Sequence, residues 1–209
     1  MNISKFSPLN IVKPNPTFKG QSSQFIGNQR LNADTLSLSF KGNDFNKEAS
    51  EELFNARTAE ETKRLLDAGA NPNAISQDGQ TPLHCAKTAE ITKALLDAGA
   101  NPNAISQGGH TPLHCAITAE QAKVLLEFKA DPNRRNITDK TPLHYAKTAE
   151  ITKALLDAGA NPSAIDDFGK TPLYYAETEE QKKLLLKATA ISTKILKFIS
   201  LVGCRILHH

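Results

Sequence analysis

The sequence predicts an all-α fold, an open helical repeat solenoid with short hairpin loops, and three observations predict it. A six-residue string recurs in register: Thr-Pro-Leu-His-Cys-Ala starts at Thr81 and Thr111, Thr-Pro-Leu-His-Tyr-Ala at Thr141 and Thr-Pro-Leu-Tyr-Tyr-Ala at Thr171, always 30 residues on. Between the strings apolar residues return at helical spacing, and Gly and Asn-Pro punctuation returns at fixed offsets. A period of this size means one supersecondary unit that cannot bury its apolar face alone and stacks on copies of itself. Function then belongs to an extended surface and not to a central pocket.

Taken in order, residues 1–44 read as a disordered basic N-terminal tail. They carry five Lys/Arg against two Asp and hold Pro8, Pro14 and Pro16 among Asn, Ser and Gln, a composition that cannot bury enough apolar surface to fold. Phe-x-Gly recurs there as Phe18-Lys19-Gly20, Phe25-Ile26-Gly27 and Phe40-Lys41-Gly42. The repeat domain follows over 45–188, in units 51–80, 81–110, 111–140, 141–170 and a partial one over 171–188. In the first unit Glu51, Glu52 and Asn55 stand where the string would be, which suits a polar cap on one end of a stack.

Within unit 81–110, Thr81 is a good N-cap and Pro82 sits at the first helical position, where its missing N–H costs nothing. A short helix is expected from Pro82 to about Lys87. Thr88 caps a second helix with Ile91, Ala94, Leu95 and Ala98 on one face. Sister units reinforce that cap as a capping box, in the pairs Thr58–Glu61, Thr118–Gln121 and Thr178–Gln181. Gly69, Gly99 and Gly159 stand where a left-handed residue ends the helix, Asn101-Pro102-Asn103 turns the chain, and Gly108-Gly109 turns it again. Leu83, Ala86, Leu95 and Leu96, with their equivalents, are the expected stacking contacts. Residues 189–209 read as a C-terminal amphipathic capping helix, with Ile191, Ile195, Phe198, Ile199, Val202 and Ile206 on one face and Lys194, Lys197 and Arg205 elsewhere. The same pattern suits a membrane surface contact through 189–207.

These units resemble the ankyrin repeat, whose pattern T-P-L-H-x-A, leucine-rich second helix and G-A-x-x-N-A-like loop stand here as Thr81 to Ala86, Leu95-Leu96 and Gly99-Ala100-Asn101-Pro102-Asn103-Ala104. The family period is about 33 residues; these units lack three residues between the first alanine and the leucine pair, so helix 1 and the turn after it should be shortened. The resemblance implies a non-catalytic scaffold or adaptor whose protein partner docks on the hairpin tips and the outer side of helix 1. Carried over slot by slot, it marks Gln80, His110, Lys140 and Lys170 before the strings, Lys87, Ile117 and Lys147 after them, and Ile137 and Phe168 at the tips. Unit 111–140 departs most from its sisters. Arg134-Arg135 there replaces Ala104-Ile105, so Arg134, Arg135, Ile137 and Lys140 are expected to meet an acidic surface on the partner. An alternative implied by the resemblance is a targeted or peripheral membrane effector-like protein of a host-associated bacterium, delivered by its basic tails and secreted into a host cell.

Composition narrows the classes. The net charge of +3 is a sum of unlike parts, with the body over 45–180 at −6 and residues 181–209 carrying six Lys/Arg and no acid. An acidic body does not offer the clustered positive face that phosphates require, which argues against nucleic acid. Cys85 and Cys115 occupy one slot of successive units and Cys204 stands apart, a pattern without a disulfide framework, and with no secretory signal evident the chain reads as a cytoplasmic monomer. His84, His114 and His144 beside the cysteines invite a metal or nucleophile reading. Equivalent residues of a stack are spread along its axis instead of converging as zinc ligands or a catalytic dyad must, so they are expected to bond the Thr caps and stack between units. No phosphate loop, nucleophile elbow or metalloprotease helix occurs; neither an enzyme nor a cofactor is expected.

Overall fold

The structure, a computed structural model, describes residues 42–206. The expectations for the tail, its Phe-x-Gly segments included, lie outside the described residues up to residue 41, as do residues 207–209. The helices are α1 (Gly42–Leu53), α2 (Ala59–Asp67), α3 (Pro82–Cys85), α4 (Ala89–Asp97), α5 (Ala119–Glu127), α6 (Ala149–Asp157), α7 (Pro172–Tyr175) and α8 (Glu179–Ile206), with one-turn 3-10 helices at Pro112–Cys115 and Pro142–Tyr145. Among the described residues there are no strands.

The helices form two rows. In one, α2, α4, α5, α6 and α8 each pack on the next; in the other, the four one-turn helices do the same, and α1 covers α2. Leu83, Leu113 and Leu143 are each 3% exposed and Leu95, Leu125, Leu155 and Leu185 no more than 2%, so the stacking contacts are those the periodicity marks.

Local chemistry sets each boundary. Thr88 is extended (φ −133°, ψ 159°) and its Oγ1 accepts the Ile91 N–H, which satisfies one orphan donor of α4. That requirement also limits helix 1, because Ala86 must already leave helical geometry (ψ 127°) for Thr88 to cap. The missing three residues therefore come out of helix 1, which is a single turn. At the other end Gly99 takes φ +88°, with its N–H on Leu96 O and that of Ala100 on Leu95 O, so the last carbonyls of α4 are paired.

Two features were not legible as such. The early stop of helix 1 leaves the Ala86 carbonyl without a helical partner, and Gln121 of the next unit donates to it at 2.8 Å while its Oε1 accepts the Thr118 N–H of its own cap. Gln181 does the same for Ala146 at 2.8 Å. Units therefore alternate, Ile91 and Ile151 buried in one kind and Gln121 and Gln181 buried in the other.

Both ends differ from the expected bounds. Helix 1 of the first unit begins at Gly42 and not near residue 51, giving 12 residues against four in its equivalents. At the far end no break falls at 188/189; α8 is one helix of 28 residues. Thr189 stands where Gly69, Gly99 and Gly159 end the other helices, so nothing supplies the left-handed residue that a stop needs. The residues assigned to a separate capping helix thus prolong the second helix of the last unit.

Candidate recognition surface

Each hairpin tip is built on one polar side chain, half-buried at Ser76 and buried at Ser106, Asn136 and Asp166. Ser76 Oγ accepts the Gln80 N–H and Ser106 Oγ the His110 N–H. In later units the slot is held by longer acceptors, so Asn136 Oδ1 takes the Thr138 and Lys140 N–H groups, and Asp166 Oδ1 takes those of Phe168 and Lys170. Successive tips then bond to one another: Gln107 N–H to Asp78 O (3.0 Å), Ile137 N–H to Gly108 O (3.3 Å), Asp167 N–H to Thr138 O (3.2 Å). Gln107 Nε2 adds a bond to Gln77 O at 2.7 Å. The tips form one hydrogen-bonded edge.

Along that edge stand apolar side chains in water. Ile75, Ile105, Ile137, Ile165 and Phe168 are between 47% and 74% exposed. Ile75, Ile105 and Ile165 share one slot at multiples of 30 residues, and Arg135 takes it in the remaining unit. That row was missed by reasoning from variable slots, because it hardly varies; the signal was an isoleucine kept in an otherwise polar Asn-Pro-Asn-Ala loop. Ile117, Lys87, Lys147 and Arg134 are exposed as the slot reading requires.

Other marked residues serve contacts between units. Arg135 Nη1 donates to Ile165 O of the next unit at 3.0 Å and pairs with Asp139 at 3.1 Å. His110 is half-buried, its Nε2 lying 3.2 Å from Tyr145 Oη and 3.1 Å from Asn136 Nδ2. Lys140 lies with its Nζ 4.3 Å from the Tyr175 ring centroid and 4.0 Å from the Asp166 carboxylate. The Tyr175 hydroxyl, with Asp166 and Tyr145 nearby, raises its pKa above the ordinary lysine value. Lys170 stands over the Tyr174 ring at 4.3 Å, and Gln80 accepts from the Cys85 thiol at 3.5 Å.

The three Thr-Pro-Leu-His histidines have both ring nitrogens committed. His84 Nδ1 accepts the Thr81 N–H at 3.1 Å, which places the ring proton on Nε2, 3.0 Å from the carbonyl of His110, the residue just before the next Thr-Pro string. His114 does the same between Thr111 and Lys140 O, and His144 between Thr141 and Lys170 O. Burial holds the His114 pKa down to about 4, with the neighbouring histidines adding to the effect. Tyr174 takes this slot in the last unit, where no further carbonyl follows, and it is exposed. Burial also pushes the Cys115 thiol up to about 11, far from the range of a reactive thiolate. Among the described residues no group of three or more His, Cys, Asp or Glu is placed to hold a metal ion.

Comparison with known families gives a match to a model described as ankyrin repeats, three copies, over residues 53–136 and 118–194. No curated protein matches the chain.

Proposed function

The chain belongs to the ankyrin repeat family, whose repeats are in general protein–protein interaction modules, and from that premise we propose that it is an adaptor that holds a protein partner on its hairpin tips. The observation that carries this reading is the edge of exposed Ile75, Ile105, Ile137, Ile165 and Phe168 on tips bonded to one another. Apolar side chains held in water on a rigid frame favour a partner that covers them, because little conformational freedom remains to be lost on docking. Ile117, Lys87 and Lys147 extend the surface toward the one-turn helices. Of the cations marked in unit 111–140, Arg134 is the one whose side chain has no partner among the described residues, so it is the group offered to an acidic surface. The family is typically non-catalytic, and both ring nitrogens of each Thr-Pro-Leu-His histidine being engaged supports a binding role.

The test is affinity capture with the full chain against an Ile137→Asp/Phe168→Asp variant, both first shown to melt alike. Loss of two apolar anchors should cut the captured partner by at least about tenfold. An unchanged set of partners at unchanged yield would remove the tip edge as the docking site, and an Arg134→Glu variant tests the acidic component separately.

A further inference from the structure

Helix α8 has 28 residues where α2, α4, α5 and α6 have nine each. Its first nine fill the usual place in the row, with Gln181 and Leu185 buried. From residue 188 to Ile206 it has no helical counterpart, and at about 1.5 Å per residue this lengthens the helix by roughly 28 Å over its nine-residue neighbours.

The sequence sets what that overhang bears. Leu184, Ala188, Ile191, Ile195, Phe198 and Val202 follow one another in steps of four and three, one continuous apolar stripe of a helix. Where the stripe leaves the body, Ile191 is already 49% exposed. Every charged residue after Glu180 is a base: Lys182, Lys183, Lys187, Lys194, Lys197 and Arg205. At 3.6 residues per turn, all but Lys182 fall within an arc of about 80° that flanks the stripe on one side.

Three occupants of the stripe differ in charge. The overhang of a second copy brings the same cations and no acid to pair with them. Crossing a bilayer is not open to it, since no helix among the described residues is long and apolar enough. A surface of anionic lipid meets both requirements, because the acyl boundary receives the stripe while phosphate and carboxylate headgroups receive the bases.

We propose that the overhang of α8 is a docking element for anionic phospholipid, laying its apolar stripe into the headgroup boundary and tethering the repeat body beside the membrane. The proposal is independent of the partner on the hairpin tips, and the Ile137→Asp/Phe168→Asp variant should bind lipid as the parent does.

The test is flotation of the full chain with phosphatidylcholine vesicles, with and without phosphatidylserine. Flotation is expected only with phosphatidylserine and should weaken as salt rises. Since each base near such a surface contributes about 1 kcal/mol, Lys194→Glu/Lys197→Glu should lower partitioning at least tenfold. Ile195→Asp/Phe198→Asp should abolish flotation, and both variants should keep the parent's melting curve. A variant with Lys5, Lys13 and Lys19 changed to Gln should float normally, which separates α8 from the basic N-terminal segment. The proposal is overturned if the chain stays unbound with phosphatidylserine, or if both α8 variants float like the parent. It is also overturned if light scattering shows a dimer that Phe198→Asp dissolves, because a second copy would then hold the stripe.

Discussion

The Tyr175 hydroxyl donates to the Asp166 carboxylate at 2.7 Å, and one unit earlier the same two slots pair Tyr145 with Asn136 at 2.9 Å. Burial by itself would raise the Asp166 pKa, but the Tyr175 hydroxyl, the Lys170 and Phe168 N–H groups and nearby His144 outweigh it and hold the carboxyl below its ordinary value. A hydrogen bond to a charged acceptor is stronger than a neutral one. Tyr175→Phe should therefore lower the urea midpoint of unfolding further than Tyr145→Phe does. Equal shifts in the two variants would show that the charge at Asp166 contributes nothing.

Acid should weaken the stack before the carboxylates titrate. His114 is held neutral down to about 4, and His84 and His144 are also lowered by burial, so the folded chain binds fewer protons than the unfolded one below the ordinary histidine value. The stabilisation is fully present above about pH 6.5 and is lost as pH falls toward 4, with His114 alone accounting for roughly 3 kcal/mol across that window. Denaturation curves between those two pH values check this. His114→Gln should flatten the dependence, and an unchanged slope in that variant would contradict the assignment.

Two left-handed positions make opposite predictions. Lys129 has φ 67° where the sister units place Gly69, Gly99 and Gly159. Lys129→Gly should stabilise the fold by about 1 kcal/mol, read as a rise in melting temperature. Gly109 has φ +72°, and a Cβ there would meet the Ile137 backbone nitrogen at 2.7 Å. Gly109→Ala should cost more than about 1–2 kcal/mol, since strain and the backbone clash add.

Asparagines link the loops in a second ladder. Asn103 Nδ2 donates to Lys129 O and its Oδ1 accepts the Asp131 N–H, as Asn73 and Asn133 do in their units. Asn103→Ala should cost about 1–2 kcal/mol for the two bonds. Ser163 holds the same slot where α8 runs on and no further loop follows, so Ser163→Ala should leave the midpoint within about 0.5 kcal/mol.

Much of the frame was legible because its chemistry is local and repeats. Thr-Pro fixes a helix start, Gly after the second helix fixes its end, and the shortened spacing from Ala86 to Leu95 foretold a reduced helix 1. Thr189 in a glycine slot and Ser163 in an asparagine slot also announce that the last unit ends differently, although the composition of 189–207 reads equally well as a separate helix. Slot variation marked Ile137 and Phe168 but not the isoleucine row beside them. Gln80, His110, Lys140 and Lys170 differ because each meets a different neighbour across a unit boundary, whereas Ile75, Ile105 and Ile165 hardly differ and stand in water.

The sequence by itself determined the unit, its two helices, their caps and the register in which copies stack, because those follow from short-range backbone requirements repeated every 30 residues. Only the tertiary structure decided which polar side chains are used up inside the stack. Gln121 reaches the Ala86 carbonyl of the preceding unit, Arg135 reaches the Ile165 carbonyl of the following one, and Lys140 settles over the Tyr175 ring of the last, and each contact spans residues about 30 or more apart in the chain. A side chain's own sequence neighbours do not reveal which carbonyl a stacked copy will leave unpaired, so the residues still free to meet a partner emerge only once the copies are in place.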